Sequence, residues 1–192
     1  PERLHRDRHR AARRRRARRA HRLRNLRRIL RHREGTDGAT PSANAVAASA
    51  LARLSFHFDR DDWRRAATAA IRAYGRQMTR YPRAFAKSLA VVDFLTEGPV
   101  ELALIGNAVQ GSLSSLQQAV AQCYLPNRII AISSPSTPSS LPLLKDRATV
   151  SGMPSLYICR NYTCRQPITD PRLVTEALQT DQSTSLNLQN EP

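Results

Sequence analysis

Nowhere in these 192 residues does a run approach the roughly 18 consecutive apolar residues that a membrane-spanning helix needs. The basic start is not followed by an apolar stretch either, since "LRNLRRIL" is broken by Arg every two or three positions, which argues against a secretory signal. The default is a soluble, cytoplasmic protein with no membrane partner. Cysteine is scarce: Cys123, Cys159 and Cys164 are too few, and odd in number, for a secreted disulfide scaffold. Outside the first 34 residues His57 is the only histidine, so Cys159 and Cys164 lack a second pair of zinc ligands and no metal is expected. The Cys-x-x-Cys spacing of a thioredoxin-type redox site is missing as well. So are a GxSxG elbow, a Walker-type loop and a dinucleotide-type glycine pattern, which leaves no cofactor. Gly106-Asn107 lacks further glycines and reads as a plain strand-to-helix connection. Asp37, Asp93 and Glu97 are available acids, and nothing in the sequence pairs them.

What the chain has in excess is positive charge, concentrated at one end. Residues 1–34 hold 16 Arg against Glu2, Asp7 and Glu34, a balance of +13, whereas the rest carries 15 basic and 12 acidic groups. The tract has good helix formers, but its like charges repel at helical spacing, so a disordered arm or an isolated helix is expected. Two origins stay open. A genuine arm would bind nucleic acid or another polyanion without sequence preference, because it lacks interleaved aromatics and a helix-turn-helix or finger frame. Alternatively, GC-rich alanine codons read one base out of register become arginine codons, and the tract is a frameshift. The chain opens on Pro1, not Met, so any missing neighbour is expected upstream.

After Gly35, Gly38 and Pro41, Ser42 stands where an N-cap should, and Val46, Ala50, Leu51 and Leu54 recur at helical spacing. "DRDDWRRAATAAIRAYGRQMTRYP" reads as a second helix capped by Asp59 or Asp61, and "PRAFAKSLAVVDFL" as a third that stops at Gly98-Pro99. The pattern then changes. "PVELALIG", a helix through Leu113, Leu116, Val120 and Cys123, and "NRIIAIS" make a strand, a crossover helix and a parallel strand. "SLYICR" is a third strand and "DPRLVTEALQ" a closing helix capped by Asp170. The domain limits are therefore an arm at 1–34, helices at 35–98, a small α/β element at 99–180 and a frayed tail at 181–192.

In a strand, positions five apart face opposite sides, so a disulfide between Cys159 and Cys164 would require the chain to turn through Asn161-Tyr162. Two reduced, packed thiols are the expectation, with Cys159 opposite Ile158 on the less buried side. Cys123, on the inward stripe of its helix, should be alkylated after Cys164.

"DGATPSANAVAASALARL" (37–54) resembles the segment Asp-Gly-Ala-x-Pro-Ser-x-Asn-x-x-Ala of the spermatogenesis-associated protein 20-like family, which includes YyaL-type thioredoxin domain-containing proteins. "YICRNYTCRQPITDP" (157–171) resembles that family's closing segment, and "YPRAFAKSLAVVDF", "VELALIGN" and "YLPNRIIAI" lie between them in the expected order. The resemblance implies a mainly α fold: the end of a six-hairpin α/α toroid of glycosidase type, with a small inserted α/β element of short parallel strands. It implies a longer parent with a thioredoxin-like domain, upstream toroid hairpins as missing partners, and carbohydrate-like substrates. On this basis Asp37, Ser42 and Asn44 are candidates for a ligand-pocket wall, and Cys159 and Cys164 are structural cysteines. The chain alone is not expected to be an enzyme.

Overall fold

A computed structural model describes residues 34–107, 111–136, 139–160 and 163–187. The reading of the Arg-rich arm as disordered or helical lies, Glu34 aside, outside the described residues.

The first layer is helical. Helix α1 (Ala43–His57) starts where Ser42 adopts extended backbone and its Oγ accepts the N–H of Ala45 at 3.2 Å. Its buried face is Ala45, Ala48, Ala52 and Ser55, small residues that let neighbouring helices approach closely. Asp59, at φ 50°, reverses the chain in the left-handed region that Asp tolerates, and α2 (Asp61–Arg72) follows. Neither Asp59 nor Asp61 caps α2. Arg60 holds that position without a side-chain cap bond, while Asp61 and Asp62 lie in the first turn and pair with Arg64 and Arg60. The second expected helix also divides in two, because Tyr74 leaves helical geometry to lie against Phe85 and over Gly35. A Cβ at Gly35 would meet the Tyr74 ring at 2.3 Å. The short α3 (Gly75–Arg80), a 3-10 turn at Pro82–Phe85 and α4 (Ala86–Glu97) complete the layer. Gly98, at φ 71° and ψ 159°, a conformation open essentially only to glycine, then turns the chain into the sheet.

The sheet has four strands in the order β2-β1-β3-β4: β1 (Val100–Ile105), β2 (Arg128–Ser133), β3 (Ser155–Arg160) and β4 (Thr163–Cys164). β1 pairs with β2 in parallel through the crossover helix α5 (Gly111–Gln122), as the sequence reading expects. β1 pairs with β3, and β3 with β4, antiparallel. Asp170 caps a 3-10 turn (Pro171–Leu173) by accepting the N–H of Arg172 at 2.9 Å, and α6 (Val174–Asn187) continues past position 180, where the sequence reading starts a tail.

This architecture corrects the expected toroid fragment with an inserted α/β element. Ala103 and Ile105 of β1 join Ile129 and Ala131 of β2 in a core with Ala48, Ile71, Phe85 and Phe94 of the first helical layer. The alternate residues Val100, Leu102 and Leu104 pack with Leu116 and Val120 of α5, Leu156 and Ile158 of β3, and Val174 and Leu178 of α6. The sheet therefore lies between two helical layers. The physical reason is the central strand itself: "VELALI" is apolar at nearly every position, so both of its faces must be covered. Helices α1–α4 meet a mixed sheet where the toroid would have supplied further hairpins.

Candidate functional site

On the α1–α4 side of the sheet, one row of side chains crosses three strands. Glu101 of β1 stands directly opposite Cys159 of β3, and Cys159 directly opposite Cys164 of β4. Cys159 and Cys164 are joined by a disulfide, with Cα atoms 4.0 Å apart. This corrects the expectation of two free thiols. The chain reverses between Arg160 and Thr163, so positions five apart become cross-strand neighbours. The N–H of Arg165 donates to the carbonyl of Ile158 at 3.1 Å, which marks the next pair along as the bonded one. The cysteines thus occupy a non-hydrogen-bonded site, where side chains approach most closely.

The row floors a cleft of about 230 Å³ lined by Ser55, Phe56, Asp59, Arg64, Pro142, Leu143 and Arg147 together with Glu101 and both cysteines. Cys159 is only 2 % exposed and Cys164 is open to solvent, so the less buried side assigned to Cys159 is corrected too: α1 and the 142–147 segment roof it. Arg147 is held in three ways. Its Nε donates to the carbonyl of Leu143 at 3.2 Å, its guanidinium stacks 4.9 Å over the Tyr157 ring, and its Nη2 donates to Cys164 Sγ at 2.9 Å. Tyr157 is fixed in turn by its hydroxyl, which donates to the carbonyl of Ala148 at 2.8 Å. Across the cleft Arg64 stacks 5.0 Å over Phe56.

Glu101 is the one acid in an otherwise apolar strand. Burial raises its pKa above the ordinary carboxylate value, nearby Arg147 pulls it down, and Asp59 pushes it up. Because the folded form holds the proton more tightly than the unfolded chain, this group favours folding most while it is protonated, and the contribution falls as pH rises above about 4.3. Glu101→Gln is therefore expected to raise the thermal midpoint at pH 7 and to give little or no gain near pH 4. Equal midpoint shifts at both pH values would contradict the burial of this carboxyl.

The three residues proposed for a ligand wall are brought together at the entry to α1, where each has a structural use. Asp37 Oδ1 accepts the N–H of Ser42 at 2.8 Å and Oδ2 accepts the N–H of Lys87 at 2.7 Å, tying the entry of α1 to the first turn of α4. Ser42 caps α1, and Asn44 Nδ2 donates to the carbonyl of Ala70 on α2 at 3.3 Å. They line neither the smaller cleft nor a larger one of about 730 Å³ at the end of α1 and the start of β2. In the larger cleft Arg53 donates to the carbonyls of Arg128 at 2.7 Å and Pro126 at 3.0 Å and lies 4.7 Å over the Phe94 ring. Burial first and Arg53 second lower the pKa of His57 beside it, which keeps the imidazole neutral at pH 7. Cys123 is half-buried there as a free thiol. With Cys164 in a disulfide, Cys123 becomes the thiol open to alkylation before reduction, the reverse of the order expected above.

No family model matches the chain, and no solved structure matches it significantly. Curated sequences do. Over 147 residues, 74 % of this chain, it is 29 % identical to spermatogenesis-associated protein 20 of Homo sapiens and 30 % identical to that of Mus musculus. It is also 24 % identical over 136 residues to an uncharacterized protein of Caenorhabditis elegans. The chain belongs to the spermatogenesis-associated protein 20 family. It spans about a fifth of the length of these relatives, 19 % of the human and 18 % of the mouse protein, in keeping with a match to one part of the family polypeptide. Among the described residues of this family member, no helix is long and apolar enough to cross a membrane.

The smaller cleft is the feature that sequence reading missed. Two signals pointed to it: a glutamate inside an apolar strand, and the two-residue gap between Arg160 and Thr163 with Asn161 in it, which is the length of a tight hairpin.

Proposed function

We propose that this chain serves as a docking module of a longer spermatogenesis-associated protein 20 family protein, packing against the rest of that polypeptide through the outer faces of α1 and α4. The observation that supports this reading is the make-up of these two helices. A surface helix that faces one core keeps its apolar residues on the side turned to that core. α1 and α4 also place apolar residues on the other side: Val46 (47 % exposed), Leu54 (41 %), Leu89 (38 %) and Val92 (36 %) face outward. The relatives are about five times longer than the matched stretch, so the occupant is the remainder of the same family polypeptide. The resemblance adds that this remainder carries a thioredoxin-like domain and that the complete protein handles carbohydrate-like substrates, while the isolated chain turns over no sugar.

The test is reconstitution from two chains, this one and the remaining part of a family polypeptide expressed separately. They are expected to co-purify, and the double substitution Leu54→Glu with Leu89→Glu should weaken the association at least about tenfold while leaving the chain's own thermal midpoint nearly unchanged, as surface changes do. Association unaffected by these substitutions would overturn the proposal. So would a homodimer of this chain that the same substitutions dissociate.

A second reading rests on the local charge of +13 in residues 1–34. If that arm is genuine, the chain binds any duplex with an affinity that falls on the order of 10³-fold between about 50 and 200 mM salt, and removal of residues 1–34 abolishes binding. Salt-independent binding would remove this reading.

A further inference from the structure

In the smaller cleft an exposed sulfur, a buried sulfur, a cation and an acid stand in one row. Cys164 Sγ is open to solvent and accepts a hydrogen bond from Arg147 Nη2 at 2.9 Å. Cys159 is 2 % exposed, and Glu101 lies directly opposite it in the ladder. A disulfide that only staples a hairpin needs neither a cation on its outer sulfur nor an acid beside its inner one. We infer that the Cys159–Cys164 pair is a redox centre that exchanges electrons with thiols, with Arg147 holding the Cys164 thiolate and Glu101 handling the proton of Cys159. The substrate class is a thiol that can reach Cys164 at the mouth of a cleft of about 230 Å³, either a small monothiol or a dithiol.

The exchange balances as follows. A substrate thiol loses its proton to solvent and its thiolate attacks Cys164 Sγ. The bond to Cys159 breaks, and its electron pair goes to Cys159 Sγ, which takes a proton from the Glu101 carboxyl; that carboxylate is then reprotonated from solvent. A second substrate thiol, likewise deprotonated to solvent, attacks the substrate sulfur of the mixed disulfide. The substrate leaves as a disulfide, and Cys164 leaves as a thiolate against Arg147 until it takes up a proton from solvent. Two thiols give up two electrons, and the protein disulfide becomes a dithiol.

The direction of each effect follows from the geometry. The cationic donor on Cys164 Sγ makes it the better-stabilised thiolate of the pair. A buried Cys159 thiolate without a proton source would be costly. Burial of Glu101 raises its pKa and so keeps more of it in the acid form that can give up a proton. The groups facing Glu101 are Arg147 from the 142–147 segment, Asp59 from the α1–α2 turn, Arg64 from α2, the two cysteines, and the Tyr157 phenol one pleat further along β3. Asp59 and Arg147 oppose each other in their effect on the carboxyl.

The full 192-residue chain carrying Cys123→Ser is equilibrated in glutathione redox buffers and, separately, in dithiothreitol, then acid-quenched, alkylated and weighed intact. Reversible conversion of the folded protein between a disulfide and a doubly alkylated form is expected. Accumulation of glutathione on Cys164 would assign a monothiol substrate, and reduction by dithiothreitol alone would assign a dithiol. Arg147→Gln should raise the pH at which reduced Cys164 alkylates by about one unit, an approximately tenfold loss of thiolate at neutral pH, and Arg147→Lys should restore most of it. Glu101→Gln should slow reduction several-fold and flatten its pH profile, with circular dichroism confirming that each variant is folded. A disulfide that resists both reductants until the chain is unfolded in urea would overturn the inference. Folded Arg147→Gln and Glu101→Gln variants with the parent's rates and pH profiles would do the same.

Discussion

Asp37→Ala is expected to lower the free energy of unfolding by about 2–4 kcal/mol, because it removes two charge-assisted hydrogen bonds at once and strands two backbone donors. One carboxylate oxygen accepts from Ser42 N at 2.8 Å and the other from Lys87 N at 2.7 Å, across 50 residues of sequence. The backbone N–H of Asp37 also donates to the carbonyl of Ala84 at 2.8 Å, so the side chain sits at a three-way junction of the entry to α1, the 3-10 turn and α4. Asp37→Asn keeps one acceptor and should cost roughly half as much. Urea denaturation measures both. A loss below about 0.5 kcal/mol for Asp37→Ala, the size expected of an unremarkable surface position, would free this residue for a role in ligand binding.

Leu102→Ala carries the largest single penalty expected, about 3–5 kcal/mol, a large part of the 5–15 kcal/mol typical of a domain. Leu102 is fully buried in the central strand, against the core shared with α5, β3 and α6. The next residue, Ala103, is equally buried but faces the core of the first helical layer. Ala103→Leu should therefore cost about 1–3 kcal/mol by overpacking the opposite side. Both variants are expected to unfold in one transition, because the strand they share belongs to both cores. A variant that melts only one helical layer would show that the sheet does not couple them.

Local chemistry in the sequence was legible to a considerable depth. Ser42 as a cap, Gly98-Pro99 as a helix stop, Asp170 as a cap and the β1–α5–β2 crossover all depend on residues close together in the chain, where propensity and capping decide. The split at Tyr74 depends on Phe85 and Gly35, which no window around it contains. Sheet membership was harder still. An apolar strand such as "VELALI" states that both faces are covered, but not by which elements, and the covering helices begin at Ala43 and Gly111. That Cys159 lies on the face opposite Ile158 follows from strand alternation alone. Its burial does not, because the roof comes from α1 and the 142–147 segment. For the same reason Glu101 and Arg147 could not be placed beside the cysteines: register between strands nearly 60 residues apart is a tertiary outcome.

Helices α1–α4 and the strands form one cooperative layered unit around β1, whose residues belong to both cores. Native-state hydrogen exchange tests it most directly, since amides of the central strand, α1 and α4 should then exchange only through the same global opening. One common opening free energy is expected for Leu102, Ala103 and Leu104 in β1, Ala48 and Ala52 in α1, and Val91 and Phe94 in α4, with a parallel fall in all of them when Leu102→Ala is introduced. Helical amides that exchange through a separate, lower-energy opening, untouched by that substitution, would contradict it.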